Sequence, residues 1–446
     1  MTDTVRIACG SAYAEDRIDL AVEMIERGRP KYICMDGLAE RTLALAQLRR
    51  IENPDAGFDL RMEQFAAELV PVALQHEVSI VTNMGAANPR GAGELVANRM
   101  KVLGLHGRIA VIGGDDVRDL VARVDPIVLE TSEPVSALAG QLVSANAYTG
   151  AAQIEESLAA GASIVLGGRL ADPSLFVGAL AHEFGIAPTD WHALGQMTVI
   201  GHLLECGVHV TGANFADPPF RVVPSFRHMS YPMADVSRDG TSVIRKLPNT
   251  DGLLSVDTCK AQLGYEIADP GAYLTPDVTA DFRHVRLEAV DDGVAVWGAT
   301  GSERPSALKV MVGVAEGFIG EGQVSWAGPG AVSRAHLAEQ MVREWLDDYD
   351  HRDEVMELRI DYMGVNAVLG LASPTGPDPQ EVHLRVAARC STRRAAATVA
   401  QYAEYVQIYG PAATGAHRKS VRPQVSMYST FIARELVLSD VELIEV

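Results

Sequence analysis

Asp36, Asp115 and Asp172 each follow a short apolar run, and so do Ser11, Arg17, Asn83, Asn88 and Arg169. Carboxyl groups in such places serve as general acids or bases once burial lifts one of them toward neutrality. A guanidinium holds a carboxylate or a phosphate through paired N–H groups. Amide and hydroxyl side chains orient what is bound. Asn146 and Tyr148 in "SANAYTGA", and Asn214 and Asp217 in "TGANFADP", join the same set. Catalysis is therefore expected from Asp36, Asp115 and Asp172. Substrate binding is expected from Ser11, Arg17, Asn83, Asn88, Asn146, Arg169 and Asn214. The set suits proton-transfer chemistry such as a hydratase or lyase reaction on a small bound carboxylate or phosphate, without a redox cofactor.

Plainer roles exist for the same residues. Asn88-Pro89 and Asp172-Pro173 match a helix N-cap followed by proline at the first helical position. Asp115 or Asp116 can cap a helix starting near Val117. Arg17 and Arg169 can pair with Asp16 and Asp172. In "GHLLECG", His202 and Cys206 lie four apart on a helix, a spacing that can activate a thiolate, although a small cysteine on an apolar helix is more often core. The stretch after Gly207 reads as one more strand, delivering Asn214 and Asp217 to the common edge. "GPAATGAHRKSVRP" reads as a glycine-rich, basic loop that can bind an anion or a neighbouring subunit. No P-loop, dinucleotide fingerprint, nucleophile elbow or H-E-x-x-H is present, so no cofactor is named and no metal site is expected.

These residues need a scaffold that gathers them. The first half repeats one theme, in "VRIACGSAYAEDRID", "KYICMDGLAERT", "VSIVTNMGAANP", "GRIAVIGGDDVRDLV" and "ASIVLGGRLADPSLFVGAL". A continuous apolar run ends in small polar residues and a helical pattern follows. Continuous runs mark strands buried on both faces, and their alternation with helices predicts a mainly parallel α/β sheet. Such sheets bind ligands at the carboxyl edge of their strands. The α/β domain is expected over 1–217. A connection and antiparallel β region follows over 218–325, where "HVRLEAV", "GVAVWGATG" and "ALKVMVGV" alternate and Asp291-Asp292-Gly293 makes a hairpin turn. An α+β lobe closes the chain over 326–446.

Composition narrows the partners. The 58 acidic residues outnumber the 38 basic ones, giving a formal charge of −20 over 446 residues. Such a chain is poorly suited to nucleic acid or to an anionic membrane. The five cysteines are scattered, odd in number and form no C-x-x-C pair, which points to reduced thiols and a cytoplasmic protein. No apolar leader opens the sequence, and no run approaches the ~20 residues a membrane span needs.

Several stretches carry a family likeness. "LAERTLALAQLRR", "TNMGAANP", "GRLADPSL", "GHLLECG", "TGANFAD", "DVTADF" and "RKSVRP" with the later "YST" resemble the acyclic terpene utilisation family, AtuA, essentially from end to end. The resemblance implies bacterial pathways that degrade branched acyclic terpenoids through CoA thioesters, so the expected substrate is a small branched carboxylate or its CoA thioester. It supplies no established reaction and no catalytic residue to transfer. The chain resembles the shorter members, which lack a C-terminal extension and are accompanied by a small separate AtuA-related protein. A partner of that kind is expected, alongside a homo-oligomer. The competing reading is a non-catalytic scaffold or binding subunit of a catabolic complex.

Overall fold

The computed structural model describes residues 4–373 and 377–446. The protein is a mixed α/β structure, with parallel strands near the N-terminus and antiparallel sheet later. Contacts divide the chain into two compact units: residues 1–137, 143–312 and 427–446 form one, and residues 138–142 and 313–426 the other.

The first unit is built on a ten-stranded sheet. Its centre is five parallel strands, β1 (Thr4–Ala12), β2 (Tyr32–Asp36), β3 (Ser79–Thr82), β4 (Arg108–Gly113) and β5 (Ile164–Gly167). Their spatial order is β1-β2-β3-β5-β4, all in the same direction. These are the runs whose apolar residues are continuous in sequence. The reason is visible: Ile7, Ile33, Ile80, Val81, Ile109 and Val165 are shut from solvent whichever face they point to. Antiparallel strands extend both sides. Pro232–Ser237, Ser242–Lys246, Gly293–Trp297 and Arg286–Val290 continue outward from β1, and Asp440–Glu445 lies beside β4. The hairpin at Asp291-Asp292 is present, with Asp292 left-handed at φ +58°.

Helices Asp172–Phe184 and Trp191–Glu205 pack against each other and both against the sheet, and both bury most of their side chains. Removing a side chain such as Phe176 or Leu203 from water contributes about 1.5–3 kcal/mol each. The stretch after Gly207 is not a strand. Gly207 and Gly212 take φ of +53° and +113°, which an extended chain does not allow, and Gly207–His209 forms a 3₁₀ turn.

A second sheet has the strand order Val355–Met363, Glu381–Cys390, Ala307–Ala327, Thr414–Ala433, and residues 307–312 and 427–433 of the last two strands belong to the first unit. Helices Ala331–Asp347 and Arg393–Tyr409 pack with these strands around Val324, Trp326, Val386 and Val399. Gly320 has a packing reason: a Cβ there would meet the carbonyl of Ala396 at 1.9 Å. The basic stretch 417–422 is not a loop but part of the strand Thr414–Ala433. Among the described residues, no helix is long and apolar enough to cross a membrane.

Candidate functional site

The carboxyl ends of β2, β3, β4 and β5 converge on one buried network. Asp36 ends β2, and Asn83 follows β3. The Asn83 Nδ2 donates to Asp36 Oδ1 (2.7 Å), while Asn83 Oδ1 accepts the backbone N–H of Gly37 (2.8 Å). The Leu38 backbone N–H also reaches Asp36 Oδ1 (3.0 Å). Asp115, just beyond β4, accepts from Asn146 Nδ2 (2.8 Å) and from the backbone N–H of Arg169 (2.9 Å). Gly168 makes that second bond possible, since a Cβ there would sit 2.4 Å from Asp115 Oδ1. Thr149 ties down the same loop through Thr149 N to Arg169 O (3.0 Å) and Ala171 N to Thr149 O (2.9 Å).

Arg169 is the residue these bonds place. Its side chain is 2 % exposed, and its guanidinium lies 4.1 Å from the centre of the Tyr148 ring. Nη1 donates to Leu38 O (2.9 Å) and to Asp172 Oδ1 (3.1 Å), whereas the buried Nε has no partner. The Tyr148 hydroxyl donates to Glu40 Oε1 (2.5 Å), and the Lys309 ammonium lies 3.9 Å from the same oxygen and 4.9 Å from the Tyr148 ring centre. Desolvation opposes the charge on Arg169, but Asp172, Tyr148, Asp36 and Glu40 outweigh it and keep the guanidinium protonated.

The four carboxyl groups here differ in their surroundings. Burial pushes Asp36 well up, Asp172 adds to the push, and Arg169 opposes it. Burial likewise raises Asp115, against the bond from the Arg169 N–H. For Asp172, burial raises the pKa and the charge of Glu40 adds to the rise, against the opposing charge and hydrogen bond of Arg169. Burial works against the Glu40 carboxylate too, yet the Tyr148 hydroxyl and Arg169 hold it below the usual range. Carboxyl groups shifted in opposite directions beside a fixed cation are an arrangement suited to acid–base work.

A cleft of about 220 Å³ opens on this network. Glu40, Tyr148, Arg169, Asp172, Glu266 and Lys309 give it polar walls. Tyr273, Leu274, Pro276, Leu308 and Phe431 give it apolar ones. Asp36, Asn83, Asp115 and Asn146 lie behind Arg169 rather than in the wall. Of the expected residues, then, Asp36, Asn83, Asp115, Asn146, Arg169 and Asp172 are brought together.

Ser11, Arg17, Asn88 and Asn214 are not part of that network. Ser11 Oγ donates to Tyr13 O and accepts from Arg61 Nη1, both at 3.2 Å. Arg17 is exposed and pairs with Asp19 rather than Asp16. Asn88 caps helix Pro89–Leu103 by accepting the Gly91 N–H (3.1 Å). Asn214 is an exposed left-handed residue at φ +57°. Asp172 is the first residue of its helix rather than its cap, and its carboxylate faces Arg169. His202 pairs with Glu205, not Cys206, and burial lifts the Cys206 thiol to about 12, so no thiolate is made there. Lys309, Glu266 and Tyr273 were not singled out from the sequence. Each lies more than ninety positions from Arg169, in a strand or turn with no local motif, and only the cleft unites them.

The fold and the cleft define an α/β protein with a small, polar-walled cleft at the carboxyl edge of its parallel strands. The acyclic terpene utilisation family protein AtuA profile matches residues 5–443, and the chain belongs to that family. No curated protein matches the sequence.

Proposed function

We propose that the protein is a catabolic enzyme of the lyase or hydratase type, acting on a short branched carboxylate or its CoA thioester. Arg169 holds the carboxylate or the thioester oxygen, with Lys309 at the mouth for an anion. Asp172 transfers the proton, and Asp36, Asn83, Asp115 and Asn146 hold the Arg169 loop in register. The observation carrying this reading is the unpartnered Nε of a buried arginine in the wall of a cleft. A buried N–H without a partner costs about 1–3 kcal/mol, and an oxygen ligand removes that cost. The volume of about 220 Å³ lies below the ~300–1,000 Å³ of drug-sized pockets, so the acyl group fits and a CoA nucleotide lies outside. The family supplies the wider setting, acyclic terpene utilisation.

The reaction is placed in the cytoplasm, in keeping with five unbridged cysteines. A homo-oligomer with a small family-related partner belongs to the same reading. Isothermal titration with 3-methylbut-2-enoate and with its CoA thioester tests the site. Saturable binding of at least one, weakened more than about tenfold in Arg169→Gln, is expected; equal affinity in the variant overturns the assignment. Turnover of the bound thioester, followed by its absorbance and by mass, then separates an enzyme from a binding subunit.

A further inference from the structure

Adding water across a conjugated double bond takes an acid for one carbon and a base for the water. Asp172 is the acid, and the cleft wall holds a carboxyl group with the geometry of the base. Glu40 is the first residue of helix Glu40–Glu52, which follows β2, and Asp172 is the first residue of helix Asp172–Phe184, which follows β5. Both side chains therefore leave the same sheet edge at a helix N-terminus, where the macrodipole favours an anion. Each carboxyl has one oxygen tied down. Glu40 Oε1 takes the Tyr148 hydroxyl at 2.5 Å and lies 3.9 Å from the Lys309 ammonium. Asp172 Oδ1 takes Arg169 Nη1 at 3.1 Å. The other oxygens, Glu40 Oε2 and Asp172 Oδ2, have no side-chain partner among the described residues. The Tyr148 ring, 4.1 Å from the Arg169 guanidinium, links the two carboxyl groups through the cation. Glu266, the third carboxyl of the wall, is exposed and has no cation paired with it among the described residues.

We propose that Glu40 is a second catalytic residue, the base that takes a proton from water while Asp172 delivers one to the substrate. The inference rests on the hydratase reading of the cleft. In the step, the water oxygen bonds to the β-carbon of a 2-enoyl thioester, and the water proton passes to Glu40. The π electrons of the double bond shift toward the thioester carbonyl, where Arg169 stabilises the developing charge. The α-carbon then takes the Asp172 proton. The protein is left with Glu40 protonated and Asp172 ionised, and exchange with solvent restores both. Nothing is oxidised or reduced. The groups facing Glu40 are Tyr148, Arg169, Lys309 and Asp172. Burial works against its charge, but the Tyr148 hydroxyl and Arg169 hold its pKa below the ordinary carboxylate value, so the base starts ionised.

Glu40→Gln keeps the shape of the side chain and removes the base. The variant should bind 3-methylbut-2-enoyl-CoA no more than about threefold more weakly in isothermal titration. Hydration, followed by loss of the enoyl-thioester absorbance and gain of one water by mass, should slow about 100-fold or more. Tyr148→Phe gives a second readout. It removes a hydrogen bond that lowers the Glu40 pKa, so the acid limb of kcat/KM, where activity is lost as Glu40 takes a proton, should move to higher pH. A merely structural Glu40 would shift the melting temperature and leave that limb in place. Full turnover in Glu40→Gln, or an unmoved limb in Tyr148→Phe, overturns the inference and leaves the cleft reading standing. A wild type that binds the thioester without hydrating it overturns the base and the hydratase reading together, with the binding role of Arg169 intact.

Discussion

Two buried arginines stand at the carboxyl edge of the parallel sheet, and they are held in opposite ways. Arg61 is saturated. Nε and Nη2 grip the two oxygens of Asp59 at 3.0 and 2.7 Å, and Nη1 donates to Ser11 Oγ (3.2 Å) and Asp16 O (2.9 Å). Arg169 has one carboxylate oxygen and one carbonyl on Nη1, an aromatic face beneath it, and no partner on Nε. A fully bonded buried guanidinium fastens loops together. A partly bonded one beside a cavity keeps hydrogen-bonding capacity for a ligand. The difference lies in the completeness of the shell, since both are buried arginines at the same edge of the sheet.

Breaking the saturated shell should have the larger effect on folding. Arg61→Met leaves Asp59 buried and unpaired, and a loss of about 3–5 kcal/mol is expected in urea unfolding, with ligand affinity in the surviving folded fraction unchanged. Arg169→Gln should do the reverse in emphasis, weakening 3-methylbut-2-enoate binding more than about tenfold, with the smaller loss of stability. If the two variants behave alike, the contrast between them is wrong.

Asp36→Asn sharpens the comparison by pH. The folded pKa of Asp36 is raised, so its contribution to stability is fullest in acid, below the unfolded value, and is lost as pH rises through the folded one. Asparagine removes that loss. The variant should melt above wild type at pH 8, with the advantage gone near pH 4. Asn88→Ala should cost about 1 kcal/mol through its helix cap and leave binding untouched. Arg17→Ala, breaking an exposed pair, should stay within about 0.5 kcal/mol by the same urea assay.

Much of this corner was legible in the chain. The runs that became β1 to β5 are apolar without alternation, and strands buried on both faces require that. Glycine, asparagine and aspartate after them marked the edge on which the cleft opens. Asn88 illustrates the limit: its cap role follows from Asn-Pro ahead of a helix, and the same two residues also suited a ligand role. Arg17 and Arg169 looked alike because both sit between a strand and a helix. Their separation depends on depth, and depth is set by which elements cover the junction. Ser11 was placed at the right edge, yet it serves Arg61, which follows no strand and gave no sign in the sequence.

The sequence by itself determined the parallel α/β core and the family, because buried strands, turn residues and motifs are local patterns. Tertiary structure decided which of the edge residues share a cleft. Lys309, Glu266 and Tyr273 reach Arg169 from remote segments, and His202 turned from Cys206 to Glu205. Those choices depend on distance, burial and hydrogen-bond completeness, which are properties of packed surfaces rather than of neighbours along a chain.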